Sequence, residues 1–93
     1  MHFEWDSTKS KRNENKHGVT FDEATTVFGD PLALTFDDID HSVDEQRFLT
    51  FGVSVRNRVL VVAHIARGDI IRIISARPMM PRERRDYEQY GQR

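Results

Sequence analysis

The spacing of hydrophobic residues changes partway along the chain. Near the N-terminus it follows a helical period, since an apolar stripe recurs every three or four positions at Phe21, Ala24, Val27 and Phe28. Over residues 32–77 apolar residues instead alternate with polar ones or run continuously, which is typical of β-strands. The pattern therefore predicts helices in the first part of the chain and a sheet in the second.

Two helices are predicted in the first part. The first covers residues 7–17 and is bounded by Asp6, a good N-cap, and by Gly18, which suits the left-handed position after a helix. This helix is polar on every side, so hydrophobic packing gives it little support. The second helix begins with a capping box formed by Thr20 and Glu23. Because the connection is very short, the two helices form a helical hairpin.

The second part of the chain predicts four strands and a last helix. The strands are residues 32–36, 47–55, 59–66 and 70–77. An acidic loop follows the first, and tight turns join the others into an antiparallel meander. Residues 2–5 predict one more strand, and Pro81 suits the first turn of a C-terminal helix. The predicted class is α+β, with the helical hairpin and the C-terminal helix on a small antiparallel sheet (β-α-α-β-β-β-β-α), in one domain over residues 1–93.

Composition excludes several classes of protein. The chain of 93 residues contains no cysteine, which rules out a disulfide framework, a thiol nucleophile and a cysteine-based zinc site. The N-terminal residues are not typical of a signal peptide. The longest apolar run, residues 59–63, is too short to span a bilayer. We therefore expect a cytoplasmic protein that does not associate with a membrane.

The net charge of −1 conceals two oppositely charged halves. Residues 1–46 hold four Lys and Arg residues against eleven Asp and Glu, whereas residues 47–93 hold ten arginines, no lysine and four acidic residues. The planar guanidinium group of arginine binds phosphate or carboxylate oxygens in pairs, which a lysine ammonium does not. The arginine-rich half therefore indicates either an anionic ligand or internal ion pairs with the acidic half.

Four arginines are candidates for a phosphate site. In a regular strand Arg72 and Arg77 lie on opposite faces, so they share a pocket only if a bulge or the strand end turns one of them. Arg47 begins a predicted strand and Arg84 lies on the last helix. Cleavage of RNA by its own 2′-hydroxyl needs charge stabilisation at the phosphorane, which arginines supply without a metal. For each arginine, a salt bridge to the acidic loop is the alternative.

The same reaction needs a base and a proton donor. The sequence offers Glu45, His17 and His64, although a histidine in the middle of a strand, such as His64, also fits a role in the core. The histidines show no metal-ligand spacing, and the chain has no nucleophile elbow, Walker motif or dinucleotide-binding motif. We therefore expect no metal and no cofactor.

An ordered set of short motifs resembles the BrnT family of toxins. The motifs are Phe3-Glu4-Trp5-Asp6, Lys16-His17-Gly18-Val19, Phe21-Asp22-Glu23-Ala24, Asp30-Pro31, Arg47-Phe48, Ile73-Ile74-Ser75-Ala76-Arg77 and Arg82-Glu83-Arg84-Arg85. The resemblance runs over residues 3–88 with the order of elements intact. It implies a RelE-like ribonuclease fold and a toxin that inhibits translation by cutting RNA.

The resemblance also implies partners and site residues. BrnT-type toxins are neutralised by a BrnA-type antitoxin with a ribbon-helix-helix domain. The expected complex is a heterotetramer of two toxins and two antitoxins that binds operator DNA only through the antitoxin. Matching motif positions fall on Lys16, His17, Arg47, Arg77 and Arg84. We assign catalysis to Arg47, Arg77, His64 and Glu45, and RNA binding to Lys16, His17, Arg72 and Arg84.

One departure from the family pattern keeps a second hypothesis open. The family often has two acids before the arginine, whereas this chain has Glu45-Gln46 before Arg47. The alternative is therefore a catalytically weakened module that binds an antitoxin and acts as a transcriptional co-repressor. A third hypothesis is an independent nucleic-acid-binding protein, but the net charge of −1 disfavours it because phosphate neutralisation dominates such binding.

Overall fold

The computed structural model describes residues 1–91 of the chain, so the last two residues of the predicted domain lie outside the described part. The elements in chain order are β1 (His2–Glu4), α1 (Ser7–His17), α2 (Phe21–Thr26), β2 (Leu34–Asp37), β3 (Arg47–Val53), β4 (Val59–Arg67), β5 (Ile70–Pro78) and α3 (Pro81–Gly91). Short 3-10 helices at Val27–Gly29 and Ile39–His41 follow α2 and β2. This order confirms the predicted α+β class.

The five strands form one sheet in the order β1-β5-β4-β3-β2. Strands β2 to β5 pair antiparallel, as the meander predicts, whereas β1 pairs parallel with β5. The sheet is therefore mixed, although an antiparallel sheet was expected. The reason is the path of the chain, because the helical hairpin carries it from β1 at one edge to β2 at the other. No helix within residues 1–91 is long and apolar enough to cross a membrane.

One side of the sheet is covered by α1 and α2, and we call it the hairpin face. It holds the main hydrophobic core, whose buried side chains are Val19, Phe21, Ala24, Val27, Leu60, Val62, Ile73 and Ala76. The apolar stripe predicted for the second helix lies in this core, with Phe28 packed against it. Burial of each larger aliphatic or aromatic side chain stabilises the fold by about 1.5–3 kcal/mol.

A single buried amide attaches the polar helix α1 to the sheet. The side chain of Asn13 donates hydrogen bonds to the carbonyl oxygens of Val19 (2.9 Å) and Ala76 (2.8 Å) and accepts one from the N–H of Ala76 (3.0 Å). Strand β1 pairs with β5 only as far as Arg72. Asn13 therefore satisfies backbone groups of β5 that have no strand beside them, which explains how a helix without an apolar face is held in place.

Glu23 links α2 to the turn between β3 and β4. The hydroxyl of Thr20 accepts the N–H of Glu23 at 3.1 Å, as the capping box predicts, but the carboxylate of Glu23 turns inward. It accepts hydrogen bonds from Ser54 Oγ (2.7 Å) and Arg58 Nε (2.9 Å), and Arg58 Nη2 makes a further contact. The bond from Arg58 holds the pKa of Glu23 below its usual value. A buried ion pair therefore closes this end of the hairpin face.

The opposite side of the sheet is only partly covered, by α3. Met79 and Tyr87 pack there against Val61, and the phenol of Tyr87 donates a hydrogen bond to Asp30 Oδ2 at 2.6 Å. Burial, together with this hydrogen bond, raises the pKa of Tyr87 to about 12. We call this side the open face, because α3 leaves one end of it uncovered. Its uncovered end carries Arg47, Ile65, Arg72 and Ile74.

Candidate active site on the open face

A β-bulge in β5 determines where the side chains of this strand point. Ala63 of β4 pairs with Ser75, and the next residue, His64, pairs with Ile73. Ile74 is therefore an extra residue with no partner in β4. Such a bulge shifts the alternation of side chains by one position beyond it.

The bulge places both arginines of β5 on the open face. Ile73 and Ala76 are three positions apart, yet both pack in the core of the hairpin face. Regular alternation would send them to opposite sides of the sheet. Arg72 is next to Ile73 and Arg77 is next to Ala76, and neighbouring residues of a strand point to opposite sides. Both arginine side chains therefore extend from the open face. From the sequence, Arg72 and Arg77 could share a surface only if a bulge or the strand end turned one of them, and the structure contains that bulge.

The strand register places Arg47, Ile65 and Arg72 side by side across β3, β4 and β5. The Cα atoms of Arg47 and Arg72 are therefore about 10 Å apart, two strand spacings. Arg77 pairs with Val61, four residues along β4 from Ile65, which corresponds to about 13 Å. Arg47 and Arg72 are thus near neighbours, and Arg77 marks the far end of the same face.

A groove of about 490 Å³ lies over this row, and we call it the basic groove. Its lining residues are Lys9, Arg47, Arg67, Arg72, Ile65 and Ile74, together with Asp40, His41, Val43, Asp44 and Glu45 from the loop between β2 and β3. Arg67 and His41 were not among the predicted site residues. Arg67 lies two positions from Ile65, so period-two alternation is the signal that would have found it once the register was known. No comparable signal exists for His41, which lies in a loop.

Two arginines of the basic groove are paired with internal carboxylates. Arg72 Nη1 lies 2.7 Å from Glu4 Oε2, and Arg67 Nη2 lies 2.9 Å from Glu45 Oε1. The guanidinium group of Arg47 has no hydrogen bond or ion pair with any of residues 1–91. Arg47 is therefore the arginine of the basic groove that can bind an external anion without breaking an internal bond, and Lys9, whose ammonium group likewise has no ion pair within residues 1–91, adds a second such cation at the rim.

Residues 38–42 are attached to the backbone of Arg47. The N–H of Asp38 donates to the carbonyl oxygen of Arg47 at 2.7 Å, and the N–H of Arg47 donates to Ser42 Oγ at 2.8 Å. Ser42 Oγ donates in turn to the carbonyl oxygen of Asp38 at 2.7 Å. Nδ1 of His41 lies 3.0 Å from the carboxylate of Asp38. The loop therefore brings an oriented imidazole to the groove that contains the Arg47 side chain.

Arg77 is fixed by the first turn of α3. Its Nη1 and Nη2 donate to the two carboxylate oxygens of Glu83 at 2.8 and 2.9 Å, and Nη1 also approaches the carbonyl oxygen of Pro78 at 3.2 Å. The forked hydrogen bond lowers the pKa of Glu83 and raises the pKa of Arg77. Arg77 therefore contributes a half-buried charge of fixed position.

The other predicted RNA-binding residues lie outside the basic groove. Arg84 is exposed on α3, where its Nε lies 3.5 Å from a carboxylate oxygen of the next turn. Lys16 and His17 form the last residues of α1, on the side of the hairpin face. The structure thus brings only part of the predicted set together in the basic groove. Lys16 and His17 lie at the end of α1, and Arg84 lies on α3.

His64 lies in the core beneath the helical hairpin. It is 5% exposed, its Nε2 lies 2.7 Å from Thr50 Oγ1, and its ring packs against Phe28 and Phe48. Burial lowers the pKa of His64 to about 4, so the ring is neutral at physiological pH. The sheet separates it from the Arg47 row, since its hydroxyl partner Thr50 and its ring partner Phe28 belong to the hairpin face. The geometry favours the core alternative for this histidine.

Glu45 does lie in the basic groove. Its hydrogen bond with Arg67 lowers the pKa of Glu45, so its carboxylate is ionised and can accept a proton. A carboxylate of low pKa is a weak base, however, because catalytic efficiency is greatest when the pKa is near the working pH. Within the described residues no group of three or more histidines and acids is arranged to hold a metal ion.

The groove offers electrostatic chemistry. An unpaired guanidinium group beside two paired ones, with an imidazole and a carboxylate at the rim, can bind a phosphodiester and stabilise charge that develops on it. Fold and groove together fit the class of small ribonucleases. The family model described as "Ribonuclease toxin, BrnT, of type II toxin-antitoxin system" matches residues 5–83. The chain therefore belongs to the BrnT family of ribonuclease toxins.

A solved structure shares the fold. The crystal structure of the ribonuclease toxin BrnT from Brucella abortus aligns with a TM-score of 0.66 and 22% sequence identity, covering 86% of this chain and 97% of that one. At this identity the likeness concerns the fold alone, and it confirms the α+β architecture with a C-terminal helix. None of the curated proteins compared with the chain matches it.

Proposed function

We propose that this toxin cleaves RNA in the basic groove, without a metal ion, by attack of the substrate's 2′-hydroxyl on the adjacent phosphate. The BrnT family makes the protein the ribonuclease toxin of a type II toxin-antitoxin system. The location and the chemistry are our proposal. The observation that supports them is the guanidinium group of Arg47, which has no partner within residues 1–91 and lies in one groove with Arg67 and Arg72.

In this proposal Arg47 binds a non-bridging oxygen of the scissile phosphate and stabilises the charge of the phosphorane. Arg67 and Arg72 add positive charge beside it, each held in position by its carboxylate partner. Arg77, about 13 Å further along the face, holds a flanking phosphate of the same strand. The RNA strand then lies on the open face, from the start of β3 to the end of β5.

The reaction also moves two protons. The 2′-oxygen forms a bond to phosphorus as a base takes its proton, and the bond from phosphorus to the 5′-oxygen breaks as an acid protonates the leaving group. His41 lines the groove and is oriented by Asp38, so we assign one of these transfers to it. The ionised carboxylate of Glu45 is the second candidate.

The biological setting that we propose follows from the family. Cleavage of RNA inhibits translation, and the antitoxin that a type II system requires is of the BrnA type, with a ribbon-helix-helix domain. Two toxins and two antitoxins form the complex, which binds operator DNA through the antitoxin. The toxin acts in the cytoplasm as a single domain over residues 1–93.

One observation favours the second candidate function, a weakened module that binds antitoxin and acts as co-repressor. Three open-face arginines, Arg67, Arg72 and Arg77, are already paired with internal carboxylates. Those bonds reduce the charge available to RNA. Expression of the toxin without antitoxin separates the two functions, because an active ribonuclease arrests growth and an inactive module does not.

RNA cleavage by the purified toxin in excess chelator tests the leading proposal. The matched control is Arg12→Ala, which removes an exposed arginine from α1. We expect the wild type and the control to cleave RNA, and Arg47→Ala to be slower by about 100-fold, because it removes a contact to the developing charge. Intact RNA with the folded wild type, or full activity of Arg47→Ala, would contradict the proposal.

The pH dependence of cleavage tests the assignment of proton transfer. His41→Asn retains a polar side chain but cannot titrate, so we expect about a 100-fold loss of rate and the disappearance of one limb of the pH–rate profile. His2→Asn, an exposed histidine of β1, is the control and keeps both limbs. An unchanged profile in His41→Asn would remove this histidine from the mechanism.

A further inference from the structure

A second groove occupies the other half of the open face, between α3 and strands β2 and β3. We call it the apolar groove; its volume is about 510 Å³. Its apolar lining consists of Leu34, Phe36, Leu49, Phe51, Tyr87 and Tyr90. Phe36 remains 46% exposed, and its ring meets that of Phe51 edge-on at 5.8 Å. Of this lining Phe36 and Tyr90 are exposed and Leu34, Leu49 and Phe51 are half-buried, and an open apolar surface of this kind marks a site for another molecule.

The charge of the apolar groove is opposite to that of the basic groove. Glu83 and Asp86 line it, and no lysine or arginine among residues 1–91 does. Glu83 is paired with Arg77, whereas Asp86 is exposed and has no partner within the described residues. The unpaired carboxylate of Asp86, with no cation from residues 1–91 in the lining to oppose it, disfavours RNA as the occupant of this groove. A second copy of the chain is disfavoured too, because a twofold contact through this groove would bring the same acids together.

We propose that the apolar groove binds an amphipathic helix of the antitoxin. Apolar side chains of that helix, spaced three and four residues apart, enter the groove, and lysine or arginine on its flank faces Asp86. The inference rests on the proposed function in one respect, since the toxin-antitoxin family supplies the partner. The groove adds where that partner binds and with which chemistry.

The position of the groove explains how such a helix neutralises the toxin. Leu49 lines the groove two residues from Arg47, and Glu83 of the same groove holds Arg77. A helix bound there lies between the two arginines to which we assign the RNA strand. It therefore blocks the open face sterically and leaves the hairpin face uncovered.

The test uses the full toxin and a cognate antitoxin of the proposed BrnA type, with affinity measured by isothermal titration calorimetry. Phe36→Glu places a charge in the groove, and Val55→Glu changes a side chain that is 79% exposed in the turn between β3 and β4. We expect Phe36→Glu to weaken binding at least about tenfold and Val55→Glu to bind as the wild type does. Equal affinity of Phe36→Glu and the wild type would overturn the proposal.

A charge reversal provides a second variant that does not depend on the packing of Phe36. Asp86→Arg should weaken binding about tenfold and reduce its dependence on salt, whereas Glu14→Arg, an equal change on α1, should do neither. Hydrogen exchange of the complex should show protection in β2, β3 and α3. Protection confined to α1 and α2 would overturn the proposal, as would a wild-type toxin that does not bind this antitoxin.

The two proposals can fail separately. Phe36 does not line the basic groove, so free Phe36→Glu toxin should cleave RNA at the wild-type rate while escaping the antitoxin. If the wild type does not cleave RNA but the groove variants still weaken antitoxin binding, only the ribonuclease site is rejected. Normal cleavage with undiminished binding by both groove variants would reject the antitoxin groove alone.

Discussion

The two faces of the sheet treat their polar groups in opposite ways. On the hairpin face Asn13, Glu23 and His64 are buried and each makes hydrogen bonds within the fold, although Nδ1 of His64 has no partner among residues 1–91. On the open face the guanidinium group of Arg47 has no partner among residues 1–91 and lies beside arginines that are only partly covered. The difference shows that an arginine in an apolar strand need not place its charge in the hydrophobic core. Stability should therefore depend on the hairpin face, and activity on the open face.

The largest expected loss of stability comes from Arg58→Ala. The carboxylate of Glu23 would stay buried without its main counter-charge, and we expect the free energy of unfolding in urea to fall by about 3 kcal/mol. Arg56→Ala is the matched control, because Arg56 is 68% exposed and lies 3.9 Å from the same carboxylate; it should cost less than about 0.5 kcal/mol. Equal costs for the two variants would show that the buried pair does not stabilise this face.

A pH-dependent loss of stability should come from His64. Its pKa is about 4 in the fold against 6.5 for an ordinary histidine, so the unfolded chain binds the proton first as the pH falls. Folding is therefore fully supported above pH 6.5, and the free energy of unfolding should fall by about 2 kcal/mol between about pH 6.5 and about pH 5. His64→Gln should remove this slope and His41→Asn should retain it. A slope that His64→Gln leaves unchanged would contradict the buried neutral ring.

Asn13→Ala should cost somewhat less, about 1.5 kcal/mol, because the N–H and the carbonyl oxygen of Ala76 lose their partners. The amide of Ala76 should also exchange its hydrogen faster. Asn15→Ala, an exposed change on the same helix, is the control for helix propensity. If both variants lose the same stability, the amide does not attach α1 to the sheet.

The smallest effect is expected on the open face. Arg47→Ala removes no internal hydrogen bond of its side chain, so the free energy of unfolding should change by less than about 0.5 kcal/mol. Urea unfolding measures this on the same protein preparation that loses RNA cleavage. A loss of stability comparable to that of Asn13→Ala would contradict the view that the hairpin face determines stability and the open face determines activity.

Local chemistry explains what the sequence predicted well. The carboxylate of Asp6 caps α1, Gly18 ends it with a φ of 69°, and Thr20 caps α2, because each of these features depends on residues a few positions apart. The alternation of the strands likewise indicated an arginine near a rim at Arg47. Strand boundaries moved by only one or two residues, for example in β2, which begins at Leu34 after Asp30 accepts a hydrogen bond in the preceding turn.

Features that depend on distant contacts could not be predicted in this way. The bulge at Ile74 exists only in the register between β4 and β5, and it alone decides that Arg72 and Arg77 share a face. The inward carboxylate of Glu23 has its partner 35 positions away, at Arg58. The rim position of His41 depends on backbone bonds to Arg47, which no periodicity signals.

The most direct test of the account follows arginine side chains by NMR while an RNA strand binds. An oligonucleotide with 2′-O-methyl groups lacks the attacking hydroxyl, so the toxin can bind it without cleaving it. We predict that the side-chain Nε–H signals of Arg47 and Arg72 shift most, that Arg77 shifts less, and that Arg12 and Arg58 stay unchanged. Shifts at Arg58 and at the end of α1, with none at Arg47, would contradict an RNA site on the open face.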